Sequence, residues 1–205
     1  MSDHQIVGLF PTPLYHAKLD REFSALEKSF VEKEAGDPDE NIRNMIGKGK
    51  HVLSDPAMTD LRMFIERHIR IFMREVYAPS SPVYAYLTQS WLNYTYPGQA
   101  HHAHMHDNSF ISGVLYINAH GDSLKFMSGR GHAIRITTDD YNIFNSETWT
   151  VPVETGDLIL FPSRMTHMVD ETPVDRPMTR VSLAFNTFLR GEIGDPKERI
   201  HLVLR

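Results

Sequence analysis

From residue 83 the chain is written in short strand segments separated by turn residues, and this leaves little freedom about its fold. Tyr84, Tyr86, Thr88, Ser90 and Leu92 alternate with Val83, Ala85, Leu87, Gln89 and Trp91, and the run continues to the turn at Pro97-Gly98. Further strand-like segments follow at 110–118, near 124–127, and at 132–137, 148–153, 157–161 and 179–189. Six or more short strands with no helices between them predict a mainly β fold, a sandwich or barrel. Helices flank it on the N-terminal side only.

The first 80 residues read differently. Residues 6–18 form two extended pieces broken by Pro11 and Pro13, which cannot donate ladder hydrogen bonds. Residues 20–34 carry Phe23, Leu26, Phe30 and Val31 at spacings that suit an amphipathic helix. Residues 35–50 are polar and broken at Gly36-Asp37-Pro38, which predicts a loop. Asp55-Pro56 supplies a cap and a first-turn proline for a helix over 56–77. Its stripe of Leu61, Phe64, Ile65, His68, Ile69, Phe72, Met73 and Val76 predicts packing on a sheet, with His68 a structural histidine. The expected organisation is one domain over 1–205. Residues 1–80 are its strands and packing helices, 81–190 its β core and 191–205 a C-terminal extension.

Composition narrows the function. With 21 Lys and Arg against 26 Asp and Glu, the net charge is −5, which argues against nucleic acid as a partner. There is no cysteine, so disulfides, thiolate metal sites and cysteine nucleophiles are excluded together. The N-terminal residues lack a signal-peptide pattern, and no apolar run approaches the ~18 residues of a membrane span. A soluble cytoplasmic protein without a membrane partner is expected, and a homodimer is allowed.

The chemistry concentrates in His101-His102-Ala103-His104-Met105-His106-Asp107, where four of the twelve histidines lie within six residues. In a regular strand His102, His104 and His106 share a face, and two imidazoles at i and i+2 can bond one metal ion. A third ligand must come from a distant segment. His167, after Leu158-Ile159-Leu160-Phe161-Pro162-Ser163, is the best placed. Asp107 would complete a two-His-one-carboxylate triad but faces away from His106 in a regular strand, so His104 and His106 are preferred. In Thr179–Asn186 the residues Arg180, Ser182, Ala184 and Asn186 share one face, while Val181, Leu183 and Phe185 share the other. A buried Arg180 needs an anionic partner, and a ligand carboxylate also bonded by Ser182 would satisfy it.

His104 and His106, Asn108-Ser109, Ser112-Gly113, Tyr116, Phe161-Pro162-Ser163, His167, and Arg180-Val181-Ser182 with Phe185-Asn186 follow one another in an order that resembles the 2-oxoglutarate- and Fe(II)-dependent oxygenases. Within them the pattern is most similar to a small group of bacterial and phage members. Trp91-Leu92-Asn93 and Gly98-Gln99 also resemble the strand and turn before the first ligand in prolyl-hydroxylase-like members. The resemblance covers roughly residues 91–190. It implies a double-stranded β-helix, a jelly-roll or cupin-like barrel. It also implies decarboxylation of 2-oxoglutarate to succinate, with O2 as oxidant and hydroxylation of an unknown small-molecule or peptide substrate. His104, His106 and His167 would hold Fe(II). Arg180 and Ser182 would hold the far carboxylate of 2-oxoglutarate, with Asn93 and Asn186 as further pocket residues. His106 stands where most of the wider superfamily carries Asp. A cupin-like metal enzyme or a metal-binding sensor, neither using 2-oxoglutarate, is the alternative. Residues 128–147 are read either as a hairpin with a solvated face or as part of the pocket rim, and 36–50 and 171–178 as candidate lids.

Overall fold

The computed structural model describes residues 4–129, 134 and 136–202. Its strands form two sheets. The larger holds β1 (Tyr15–Lys18), β9 (Asp157–Pro162), β6 (Ile111–Asn118), β11 (Arg180–Ile193), β4 (Val83–Thr95), β3 (Asn44–Ile46) and β2 (Asp39–Asn41) in that order, with β12 (Ile200–Leu202) paired to β11. The smaller runs β5 (His101–His104), β10 (His167–Val169), β7 (Asp122–Met127) and β8 (Thr148–Val153). All the paired strands are antiparallel. The architecture is a jelly roll whose sheets are not closed into a barrel, so the barrel expectation holds only as two facing sheets.

The register explains how one sheet serves two purposes. Leu92, Leu183, Leu115 and Leu158 stand in one row across β4, β11, β6 and β9, and Ser90, Phe185, Gly113 and Leu160 form the next row on that face. This face packs against α2 (Thr59–Phe72) through the buried residues Leu61, Ile65, Ile69 and Phe72. The opposite face carries the rows Asn93–Ser182–Tyr116, Trp91–Ala184–Val114–Ile159 and Asn186–Ser112–Phe161. There Val114, Tyr116, Ile159 and Phe161 meet Leu124, Phe126, Val153 and Val169 of the smaller sheet. Because side chains alternate across a strand, the same four strands build both cores.

The helices begin where their caps place them. α1 (Ala25–Glu34) starts later than the expected residue 20. Ser24 accepts from the Glu27 N–H at 3.2 Å while the Glu27 carboxylate accepts from the Ser24 N–H at 2.7 Å, a reciprocal cap that fixes the start. Leu26, expected on the packed face, is exposed. Asp55 caps a 3₁₀ turn over Pro56–Met58 that leads into α2, and a π turn at Met73–Tyr77 finishes the segment. Nδ1 of His68 lies 2.7 Å from the Tyr15 hydroxyl and its ring packs against Phe64, the structural role expected.

Residues 35–50 are not simply a loop. They hold the β2–β3 hairpin, which extends the large sheet through Met45 opposite Tyr94. Strands of three residues are too short for alternation to reveal. Residues 171–178 are held at both ends, by the Thr172 hydroxyl on the Tyr96 and Gln99 carbonyls and by Arg176 on Asp122. Half of the strand expected at 132–137 lies outside the described residues, as do Arg130, His132 and Arg135, and residues 134, 136 and 137 carry no strand.

A Cβ on Gly113 would lie 2.2 Å from the Phe185 ring and 2.7 Å from Leu160 Cδ2. The leucine and phenylalanine row therefore requires glycine there. Gly113→Ala is expected to destabilise the protein by about 1–3 kcal/mol through overpacking, read as a lower urea midpoint at unchanged slope.

Candidate metal and co-substrate site

Between the two sheets lies a small, partly open cavity. Trp91 and Asn93 of β4, Val114 of β6, and Arg180, Ser182 and Ala184 of β11 line it from the large sheet. His101, His104, His106 and His167 face it from the other side.

The histidine strand departs from regular alternation. His104 stands opposite His167 and His101 opposite Val169, so three steps on β5 match two on β10. The irregularity turns His101 to the same side as His104, a placement hidden from a period-2 reading. His102, expected to share that face, does not line the cavity, although its ring centroid is 4.9 Å from that of His104. Beyond β5 the chain turns at Asp107-Asn108, with Asn108 at φ 57°, and Asp107 is exposed. That turn carries the carboxylate away from the site.

Ligand nitrogens of His104, His106 and His167 all lie within 4.8 Å of one another, and a second group of His101, His102 and His104 meets the same limit. No carboxylate joins either group among the described residues. The first group brings together the three histidines singled out from the sequence. Nδ1 of His104 lies 2.8 Å from the His102 carbonyl and Nδ1 of His167 lies 2.9 Å from the Met165 carbonyl. A carbonyl only accepts, so both rings carry their proton on Nδ1 and offer the Nε2 lone pair. Burial lowers the pKa of His104, and lowers His106 to about 4 and His167 to about 3, with neighbouring imidazoles adding to the shift. His101 is pushed to about 3 for the same reasons. These are neutral nitrogen donors at neutral pH, the form that binds a divalent first-row metal.

Opposite them the site is short of negative charge. Asp122 accepts from both terminal nitrogens of Arg176, at 2.6 and 2.5 Å. Arg180 is 2% exposed, and its Nε is 3.7 Å from Asp122 Oδ1, beyond hydrogen-bond reach. Its guanidinium carbon stands 5.1 Å from the centroid of the Tyr116 ring. Two guanidinium groups thus share one carboxylate, and the buried Arg180 Nε, Asn93 Oδ1 and Tyr116 hydroxyl make no hydrogen bond. Buried polar atoms are normally satisfied, and here the Arg180 Nε–H and the Tyr116 hydroxyl can both donate to an anionic oxygen acceptor. Asn93 and Ser182 line the cavity as expected. Asn186, expected as a pocket residue, instead reaches Ser112 and His106. Sequence reasoning missed His101, Asp122 and Arg176. A period-2 count could not place the first, and the pairing of the other two spans 54 residues.

The jelly-roll fold thus sets three imidazoles that could hold a metal ion opposite a buried guanidinium. Residues 89–186, which hold most of the site, match the family described as "Putative 2OG-Fe(II) oxygenase". Over this segment, a little under half of the chain, the sequence is similar to the 2-oxoglutarate- and Fe(II)-dependent oxygenases, oxidoreductases that use Fe(II), 2-oxoglutarate and O2. Solved structures agree in fold. HygX from Streptomyces hygroscopicus, with nickel and 2-oxoglutarate bound, is 13% identical at a TM-score of 0.59, over 86% of this chain and 82% of that one. The same enzyme with hygromycin B also bound is 14% identical at 0.57, over 86% and 82%. A Pseudomonas putida prolyl-4-hydroxylase is 16% identical at 0.54, over 85% and 92%. No curated protein sequence matches the chain significantly. No helix among the described residues is long and apolar enough to cross a membrane.

The depressed histidines have a consequence for acid stability. In the metal-free fold His101, His106 and His167 stay neutral down to about pH 3–4, whereas in the unfolded chain they protonate near 6.5. The unfolded state therefore binds more protons throughout this window, and stability falls as pH drops through it. Urea unfolding of the metal-free protein is expected to show a midpoint that falls from pH 7 to pH 4, with a shallower fall in His101→Gln.

Proposed function

We propose that His104, His106 and His167 hold the iron through Nε2 and that Arg180, with Ser182, holds the far carboxylate of 2-oxoglutarate. The observation that carries this reading is the pairing of three neutral imidazoles with a buried guanidinium that lacks a hydrogen-bonding counter-charge at Nε. The donor set fits Fe(II), and the orphaned Arg180 Nε and Tyr116 hydroxyl fit a dicarboxylate. When bound, the iron supplies the oxidising chemistry, coupling decarboxylation of 2-oxoglutarate to hydroxylation of the substrate.

The protein's own part is to bind, orient and exclude water. The carbonyls of His102 and Met165 lock two imidazoles in the tautomer that points a lone pair at the metal. Asp122 holds Arg176 and stands beside Arg180, fixing the guanidinium without neutralising it. Trp91, whose ring centroid is 5.7 Å from that of His106, together with Val114 and Phe161 keeps the metal side of the cavity apolar. Three neutral ligands leave the charge of the ion to be balanced by the co-substrate, so metal and 2-oxoglutarate are expected to bind cooperatively. HygX holds the small molecule hygromycin B, and a small-molecule substrate is the class proposed here.

Anaerobic titration with Fe(II) and 2-oxoglutarate tests this reading. A visible charge-transfer band that needs both additions is expected. In Arg180→Ala the 2-oxoglutarate needed for half-saturation should rise at least about 10-fold, the equivalent of one charge-assisted hydrogen bond of about 1.5 kcal/mol or more. Metal binding without any such band would favour a cupin-like or sensor role.

A further inference from the structure

His106 lacks the backbone carbonyl that fixes the tautomer of the other two histidines. Its Nδ1 faces the amide of Asn186 at 3.5 Å. That amide ends a chain of buried hydroxyls: Asn186 Oδ1 is 2.7 Å from Ser112 Oγ, Ser112 Oγ is 2.8 Å from Ser163 Oγ, and Ser163 Oγ is 2.7 Å from Ser109 Oγ. Ser109 Oγ in turn lies 3.1 Å from the Thr187 carbonyl and 3.3 Å from the Thr187 N–H. Ser112 and Ser163 are each 1% exposed, and Ser109 is half-buried.

Each serine has one proton to donate, and a carbonyl has none. The contact between Ser109 and the Thr187 carbonyl therefore uses the Ser109 proton. Ser109 then accepts from the Thr187 N–H and from Ser163, which fills both its lone pairs. Ser163, having donated to Ser109, accepts from Ser112. Ser112 has now spent its proton, so its contact with Asn186 needs a proton from the amide. The two ends of an amide have nearly the same shape, and hydrogen-bond accounting decides which is which. With the nitrogen placed on Ser112, the Asn186 oxygen faces His106.

We infer that the Thr187–Ser109–Ser163–Ser112–Asn186 relay is a positioning device that makes His106 carry its proton on Nδ1 and present Nε2 to the metal. It gives His106 the role that the carbonyls of His102 and Met165 give His104 and His167. The backbone contributes as well, because the His106 N–H donates to the Ser163 carbonyl at 3.0 Å and ties the loop to the relay. The opposite polarity would put the proton on Nε2 and leave a site of two ligands. The inference rests on the three-histidine metal reading for its purpose, but not for its geometry.

Long-range ¹⁵N–¹H correlation NMR of the metal-free full chain reads which nitrogen of each assigned histidine is protonated. His106 protonated on Nδ1 in the wild type is the expected result, with signal from the Nε2–H form appearing in Ser112→Ala. Cobalt(II) titration supplies a second readout. Asn186→Leu should weaken binding about 10- to 100-fold, the usual cost of losing a partner that orients a ligand. Asn186→Asp, which can only accept, should restore both the Nδ1–H form and the affinity. His106 protonated on Nε2 in the wild type overturns the inference, as does wild-type cobalt affinity in Asn186→Leu. If the wild type binds no cobalt, the metal reading fails, and the tautomer spectrum still decides the relay. Should Asn186→Leu not fold, the wild-type and Ser112→Ala spectra decide it.

Discussion

Strand β11 carries the constraint on which the rest depends. One of its faces must stay apolar to meet α2 through Leu183 and Phe185, while the other must bury a guanidinium and two polar side chains. A strand in the middle of a sheet has no solvent on either side to absorb an error. A shift of one residue in its pairing would put Arg180 against the helix and Leu183 into the site. The long ladders with β4 and β6 and the tight fit of Phe185 over Gly113 hold that register. The placement of the Arg180 guanidinium and the integrity of the core are therefore one requirement.

Against this frame the site is built from charge deliberately left over. Asp122 satisfies Arg176 and stands near Arg180 without hydrogen-bonding it, which keeps the guanidinium in place and available. Across the cavity, four imidazoles crowd together, and desolvation together with mutual repulsion keeps them neutral. A neutral nitrogen wall facing a positive one suits a divalent ion and a doubly charged anion arriving together better than either alone.

The serines of the short motifs belong to the same design. Asn108-Ser109, Ser112-Gly113, Phe161-Pro162-Ser163 and Phe185-Asn186 are scattered over 79 positions, yet Ser109, Ser112, Ser163 and Asn186 form one hydrogen-bonded chain. Gly113 makes room for Phe185, and Phe161 packs its ring on His167 with centroids 4.7 Å apart. Motifs that read as separate signals along the chain meet around the same imidazoles.

Much of this was legible beforehand where it depended on local periodicity. The split of Arg180, Ser182 and Ala184 from Val181, Leu183 and Phe185 follows from the pleat of a single strand, and so needs no neighbour to define it. The candidate ligands His104 and His106 were suggested by their i, i+2 spacing, and His167 by the need for a further ligand from a distant segment. Packing alone decided the irregular pairing of β5 with β10, which turns His101 to the cavity and leaves His102 off its lining. It also decided the turn that sends Asp107 outward, the β2–β3 hairpin, and the Arg176–Asp122 pair. Each is set by a contact between distant segments, whose energy belongs to the pairing and is written in neither segment by itself.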